Sequence, residues 1–289
     1  MTRDDRSTNP ADARVLPLDG GPDAAVVMRL EAAVRAVRAA AATTLRWFDV
    51  ADLAVVEKAD ASPVTEADRA AERQLRRDLL AAFPGDAFLG EETGTAAGTS
   101  GYEWVVDPID GTKSFIRGVP LYATLVGCRL AGRGVLGVIA IPALGELAYA
   151  AAGGGAWHER PGQSPVRARV STRGRLADGL LCTSDFTSFG RRQDAAAADR
   201  ARQRLERGCR IARTWGDGYG YLLVATGRAE VMIDPLMNAW DAAAVETVVV
   251  EAGGRFSDWR GRPRIDSGDG IASNGLVHDE VLALLSDGT

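Results

Sequence analysis

Three apolar stretches of strand length, residues 121–130, 134–141 and 146–150, follow one another with only glycine-bearing turns between them. Strands joined so tightly pair with their sequence neighbours, so this run predicts an antiparallel meander. The period upstream is different. Between residues 23 and 48, Val27, Leu30, Val34, Val37, Leu45 and Phe48 recur at helical spacing among alanines and arginines, which predicts a long amphipathic helix. A second helix, from about residue 66 to 83, turns Ala71, Leu75, Leu79 and Leu80 inward and stops at Pro84-Gly85. Residues 58–64, broken by Ser62-Pro63, read as a loop or hairpin, and short strands at 87–89 and 104–106 lead into the meander.

Downstream, strands near 166–170, 180–183, 211–213 and 231–233 alternate with helices over about 194–207, 219–225, 241–252 and 278–285. That alternation is an α/β layer pattern. The run Gly153-Gly154-Gly155, with Pro161-Gly162 nearby, marks the best domain junction. It divides the chain into an N-terminal α+β half, 24–157, and a C-terminal α/β half, 158–289. Residues 1–23 carry Arg, Asp, Pro, Gly and Ser without apolar periodicity and predict a disordered tail.

Composition narrows the functional classes. At 46% hydrophobic and 25% charged residues, the 289-residue chain has a soluble globular balance. A net charge of −5 argues against a general nucleic-acid binder, whose footprint is a basic patch. No apolar run approaches the roughly 20 residues of a membrane span, and no apolar signal core opens the chain. Cys128, Cys182 and Cys209 are widely separated and form no CxxC pair, which predicts reduced thiols in a cytoplasmic protein.

The chemistry concentrates in Asp107-Pro108-Ile109-Asp110-Gly111-Thr112, directly after Trp104-Val105-Val106. Six residues hold two carboxylates, a backbone carbonyl and a hydroxyl. Pro108 forces an extended kink at Asp107 and turns both acids to one side, supplying the hard oxygen ligands that Mg²⁺ requires. Three other segments have bland readings when taken singly. Gly90-Glu91-Glu92 could be a solvated loop. Thr65-Glu66-Ala67-Asp68 forms a capping-box pattern, and Asp241 in Trp240-Asp241-Ala242-Ala243 suits the positive end of a helix. Taken together, Glu91, Asp107, Asp110 and Asp241 each lie at a strand end or helix start and can converge on one rim. Four such carboxylates repel one another by several kcal/mol unless cations compensate them.

These segments, in this order and with Lys58 and Pro63-Val64-Thr65-Glu66-Ala67-Asp68 upstream, resemble the inositol monophosphatase superfamily from residue 24 to the end. The resemblance implies a layered α-β-α-β-α sandwich, a Mg²⁺-dependent phosphatase with two or three ions per site, and a homodimer. It also implies residue roles. Glu91, Asp107 and the Ile109 carbonyl would hold the first ion, and Asp107, Asp110 and Asp241 the second, with Glu91 reaching a third through water. Asp68 and Thr112 would orient and deprotonate the attacking water. Physical chemistry agrees, since two cations can flank the attacking and leaving oxygens of an in-line displacement. Gly111 and Thr112, at the start of a helical turn, can offer N–H groups to phosphate oxygens. With His158 and His278 as the only histidines and no GxxxxGK[ST] loop, histidine-based transfer and P-loop chemistry are disfavoured.

For the substrate, residues 113–120, 213–221 and 234–241 resemble the histidinol-phosphate phosphatase branch more than the inositol branch. Asp217 and Asp234 fall where inositol-type members place substrate contacts. Two acids beyond the metals suit a small phosphorylated amino-alcohol bearing an ammonium and an imidazole, as in histidine synthesis, whereas a neutral polyol has no charge to match them. Asp217 could instead cap the helix near residue 219, and Arg213 could pair with one of the acids. Inositol-1-phosphate or broad sugar-phosphate hydrolysis is the alternative on the same scaffold. A 3′-phosphoadenosine 5′-phosphate phosphatase would need a basic cluster that is not seen, and a catalytically silent scaffold would have no reason to keep clustered charge. The segment Asp185-Phe186-Thr187-Ser188-Phe189 is a candidate lid.

Overall fold

The computed structural model describes residues 21, 23–58 and 62–286. Most of the expected tail therefore lies outside the described residues; Asp23 is inside, and its carboxylate caps the first helix by accepting the Ala25 N–H at 2.8 Å.

That helix, α1 (Ala24–Thr44), and a hairpin of β1 (Val55–Glu57) and β2 (Pro63–Thr65) lead into α2 (Glu66–Ala82). Strands β3 (Ala87–Gly90), β4 (Gly94–Ala96) and β5 (Tyr102–Asp110) precede a four-residue helix, α3 (Thr112–Phe115). The expected meander follows as β6 (Ala123–Leu130), β7 (Arg133–Ile141) and β8 (Glu146–Ala151), each antiparallel to its neighbour. Then come β9 (Gly155–Glu159) and β10 (Val166–Arg167). Among the described residues these strands form an eight-stranded sheet in the order β10-β9-β8-β7-β6-β5-β3-β4.

The sheet is apolar on both faces, with successive residues serving different layers. Trp104, Val106, Val126, Val138 and Tyr149 pack under α1 and α2 against Leu30, Val34, Val37, Leu75 and Leu79. The alternate residues Val105, Leu125, Ile139 and Ala148 face the other way. Each fully buried Leu or Val stabilises the layer by about 1.5–3 kcal/mol, so these stripes fix α1 and α2 in place.

The second half begins with β11 (Leu180–Cys182), α4 (Ala195–Gly208), β12 (Ile211–Arg213), α5 (Gly218–Ala225) and β13 (Val231–Asp234). It ends with α6 (Ala239–Glu251), β14 (Arg255–Ser257), β15 (Gly270–Ser273) and α7 (His278–Leu285). A five-stranded sheet results, ordered β12-β11-β13-β15-β14, with β11 parallel to both β12 and β13 and the last two strands antiparallel. Helices α5 and α6 fill the space between the sheets, while α4 and α7 cover the outer face through Ala198, Leu205 and Val281. The order is α-β-α-β-α, as the motif resemblance implied. Close approach of α6 depends on Gly137, where an added Cβ would come within 2.2 Å of the Ala244 carbonyl oxygen.

Two expectations need correction. The boundary between 157 and 158 falls inside β9, and the first sheet continues to Arg167. Gly153-Gly154-Gly155 is the β8–β9 turn, closed by the Gly154 N–H donating to Ala151 O at 2.8 Å. The two halves share one core through α5 and α6. The segment Asp107–Asp110 is also not a turn after a strand. It is the end of β5, paired with β6 through a register shift between Asp107 and Asp110. Pro108 has no N–H for the ladder, so a bulge is the form in which the strand tolerates it. Its carbonyl is satisfied from the side by the Thr124 hydroxyl at 2.8 Å.

Candidate metal centre

The bulge brings Asp107 and Asp110 to one point, and the first turn of α6 adds Asp241. Carboxylate oxygens of these three residues lie within 4.8 Å of one another. Asp241 is the third residue of α6 and accepts the Asn238 N–H at 2.7 Å, so the helix cap that positions it is built from its own side chain. Asp107 accepts the Ile109 N–H at 3.0 Å, and Asp110 accepts the Gly218 N–H at the start of α5 at 2.5 Å. Among the described residues no lysine or arginine forms an ion pair with any of the three.

The electrostatic consequence is uniform. Burial first, and then the charges of Glu91, Asp110 and Asp241, hold Asp107 well above the usual carboxylate range. Burial, then Asp217, Asp241 and Asp234, do the same to Asp110. Asp241 is pushed up to about 7 by burial, with Glu91 adding to it against the Asn238 hydrogen bond. Three oxygen-donor acids that the protein does not neutralise fit a hard divalent cation.

Glu91 stands close enough to raise Asp107 and Asp241, yet its own carboxylate is held by Lys58 at 2.8 Å. Lys58 also bonds Glu92. The resemblance gave Lys58 no role; the structure makes it the counter-ion of the acidic pair after β3.

Asp68 is fully buried at the start of α2, and burial raises its carboxyl against two hydrogen bonds from Thr65. Those bonds, from the Thr65 N–H at 2.8 Å and hydroxyl at 2.6 Å, occupy Oδ2. The capping-box reading is therefore correct, and it leaves Oδ1 to face Thr112, whose hydroxyl lies 3.4 Å away. The same hydroxyl is 3.1 Å from the Ile109 carbonyl, and its single proton serves one acceptor at a time. Gly111, at φ +88, caps α3, and an added Cβ would meet Asp217 Oδ2 at 2.6 Å.

Asp217 and Asp234 are brought beside Asp110 and Arg213 is not. Asp234 is buried, its two oxygens taken by the Ser184 hydroxyl at 2.6 Å and the Tyr221 hydroxyl at 2.8 Å, and burial raises it to about 6. Asp217 precedes α5 without a side-chain cap to it, so the helix-capping alternative does not hold. Arg213, ending the edge strand β12, donates to the Ala212 carbonyl and lies over the Trp215 ring instead of pairing with either acid. The segment proposed as a lid forms a short turn capped by Asp185, with Phe189 buried against Trp259 at a centroid separation of 5.6 Å. Sequence reasoning missed Ser184 and Tyr221. The signal was available for Ser184: it follows a short apolar strand as Asp234 ends another, and ligand-facing groups gather at the carboxyl ends of parallel strands.

Residues 27–288 match the inositol monophosphatase family. This chain belongs to that family. It is similar to a histidinol-phosphatase of Chlorobaculum parvum, 41% identical over 90% of this chain and 97% of the relative. A histidinol-phosphatase of Mycobacterium tuberculosis is 39% identical over 83% and 91%. Among solved structures, the extragenic suppressor protein suhB of Bartonella henselae superposes with a TM-score of 0.81 at 30% identity, covering 90% of this chain and 99% of that one. As an inositol monophosphatase family member the protein is a metal-dependent phosphatase, and Asp107, Asp110 and Asp241 at the β5–α6 rim form an acidic cluster that could hold a metal ion. Among the described residues no helix is long and apolar enough to cross a membrane.

Proposed function

We propose that this phosphatase uses Mg²⁺ to hydrolyse histidinol phosphate to histidinol and inorganic phosphate. One observation carries the choice of ester: beyond the three clustered acids, the same rim presents Asp217 and Asp234, which form no ion pair among the described residues. Asp234 accepts the Ser184 and Tyr221 hydroxyls, and Asp217 meets the charge of Lys113 only without such a pair. A leaving group with an ammonium supplies the missing charge. The 39–41% identity to histidinol-phosphatases supports the same reading.

Asp107, Asp110, Asp241 and the Ile109 carbonyl would hold two cations, and Glu91 would join them, directly or for a third ion, once released from Lys58. Bound there, the cations neutralise the clustered carboxylates, acidify water and take up charge on the departing ester oxygen. The protein's own groups do the rest. The Thr112 hydroxyl donates to Asp68 and offers its lone pair to a water proton, fixing the water's direction of attack. Asp68, raised by burial, accepts the proton released as the water oxygen bonds to phosphorus and the phosphorus–ester-oxygen bond breaks. Thr65 prevents the carboxylate from rotating away.

The test is kcat/KM with Mg²⁺ on histidinol phosphate against inositol-1-phosphate. A charge pair in a dry site is worth enough to give a preference of about a hundredfold. Equal rates on the two esters would overturn the substrate assignment while leaving the metal centre intact.

A further inference from the structure

Ser184 joins two acids that are distant in the chain. Its hydroxyl donates to Asp234 Oδ1 at 2.6 Å and accepts the backbone N–H of Asp217 at 3.0 Å. Its own N–H lies 3.4 Å from the same Asp234 oxygen. The serine stands just past β11, Asp234 ends the parallel neighbour β13, and Asp217 opens α5, so one hydroxyl links three elements.

Asp217 has φ 52 and ψ −157, a backbone conformation that a residue with a Cβ adopts only when its surroundings impose it. That conformation has two results. It sets the carboxylate against Gly111, and it aims the following N–H, that of Gly218, at Asp110. The Asp217 N–H ends on Ser184. Gly216 fits beside the serine only because it lacks a Cβ, which would approach the Ser184 Cα to 2.2 Å. Of the two bonds of this hydroxyl, the donated one goes to the Asp234 carboxylate and the accepted one comes from the backbone N–H of Asp217, so the serine fixes one acid by its side chain and the other by its main chain.

We infer that Ser184 is a positioning residue for substrate selectivity, holding Asp217 and Asp234 at the spacing that receives the cationic end of the leaving group. The inference rests on the reading above that these acids meet that cation. Ser184 itself touches no reacting atom. Tyr221 secures the second oxygen of Asp234 but does not reach Asp217, so it cannot replace the serine as the link between them.

The experiment uses the full chain with Mg²⁺ and compares kcat and KM on histidinol phosphate with those on glycerol phosphate, the ester of a neutral alcohol. Ser184→Ala should lower the ratio of the two kcat/KM values about tenfold, the worth of one hydrogen bond to a charged group, and mainly through KM for histidinol phosphate. Ser184→Thr, which keeps the hydroxyl, should recover most of the ratio. An equal loss on both esters would show a merely structural serine and overturn the inference. Asp217→Asn and Asp234→Asn separate the two levels of the claim. If neither changes the ratio, the acids do not read the cation and both readings fall; if they lower it while Ser184→Ala does not, only the role of Ser184 falls. Should Ser184→Ala fail to fold, Ser184→Cys, of similar size but with a weak donor, must lower the ratio in the same direction or the inference is wrong.

Discussion

Asp107 and Asp258 are both nearly shut off from solvent, at 2% and 1% exposure, and the protein treats them in opposite ways. Asp258 lies beneath its own loop near the surface. It accepts the Arg260 and Arg262 N–H groups at 2.9 and 2.8 Å, the Arg262 guanidinium at 2.7 Å and the Ser267 hydroxyl at 2.9 Å. Burial alone would raise its carboxyl, but the hydrogen bonds from Arg262, Ser267 and Arg260 hold it below the usual range. Asp107 lies deep between the layers with one N–H donor, and its neighbours are other acids. A chain that can fully satisfy one buried aspartate leaves a cluster of three in deficit. The first arrangement serves the fold. The second is stable as a charged set only with a cation the chain does not contain.

The largest expected effect separates the two regions by activity. Asp110→Asn should reduce Mg²⁺-dependent turnover roughly a thousandfold or more, because metal-assisted charge stabilisation supplies several kcal/mol of the barrier reduction. Asp258→Asn should retain most of the turnover. A steady-state assay on the preferred ester decides it, and full activity in Asp110→Asn would remove the metal assignment.

Stability should separate them with the opposite sign. In chelator, Asp258→Asn should cost about 2 kcal/mol in urea unfolding, since it strips charge from an acid bonded to Arg262 and Ser267. Asp110→Asn under the same conditions should gain about 1 kcal/mol, because it removes one of several repelling charges from a dry site. If both variants were destabilised equally, the cluster would not be in electrostatic deficit, and the contrast with Asp258 would collapse.

These residues also show which parts of the molecule local sequence can reveal. Asp107, Ile109, Asp110 and Thr112 lie within six positions, so the chain keeps them close and the motif was visible as a unit. Asp241 was legible because a helix start fixes the direction of its third residue. The bulge was not, since it depends on β6 pairing with β5 and on Thr124 reaching the Pro108 carbonyl. Lys58 meets Glu91 and Ser184 meets Asp234 across 33 and 50 residues, so strand ends can point to the rim but local sequence does not name the partner. The layer order came from the motif resemblance, while periodicity supplied most of the individual helices and strands, but β14 and β15 were missed. Each is only three or four residues long; β15 is a strand because β13 offers an edge, and β14 because β15 then offers the next one. The glycine run at 153–155 misled for a related reason: glycines suit a hairpin and a linker alike, and only the pairing of β8 with β9 decides between them.

The smallest effect is a slope with pH. Asp241 has an ordinary carboxylate value near 3.9 when unfolded and about 7 when folded without metal. The folded state therefore holds its proton where the unfolded state has lost it. The stability this contributes is complete below about pH 4 and is lost as pH rises towards 7, at up to about 1.4 kcal/mol per pH unit for one proton. Asp258, held below its usual range, contributes stability above that range and loses it only as pH falls through its folded value. In chelator, Tm should thus fall by a few degrees between about pH 5 and 7, and Asp241→Asn should lessen that fall, with Asp107 and Asp110 carrying the remainder, whereas Asp258→Asn should preserve it. Saturating Mg²⁺ should abolish the slope in the parent protein, because cations replace the protons on the same oxygens. Thermal unfolding at several pH values, with and without Mg²⁺, reads all of these at once. A flat Tm in chelator would mean that the clustered acids are as well satisfied as Asp258, and the distinction between the two regions would be lost.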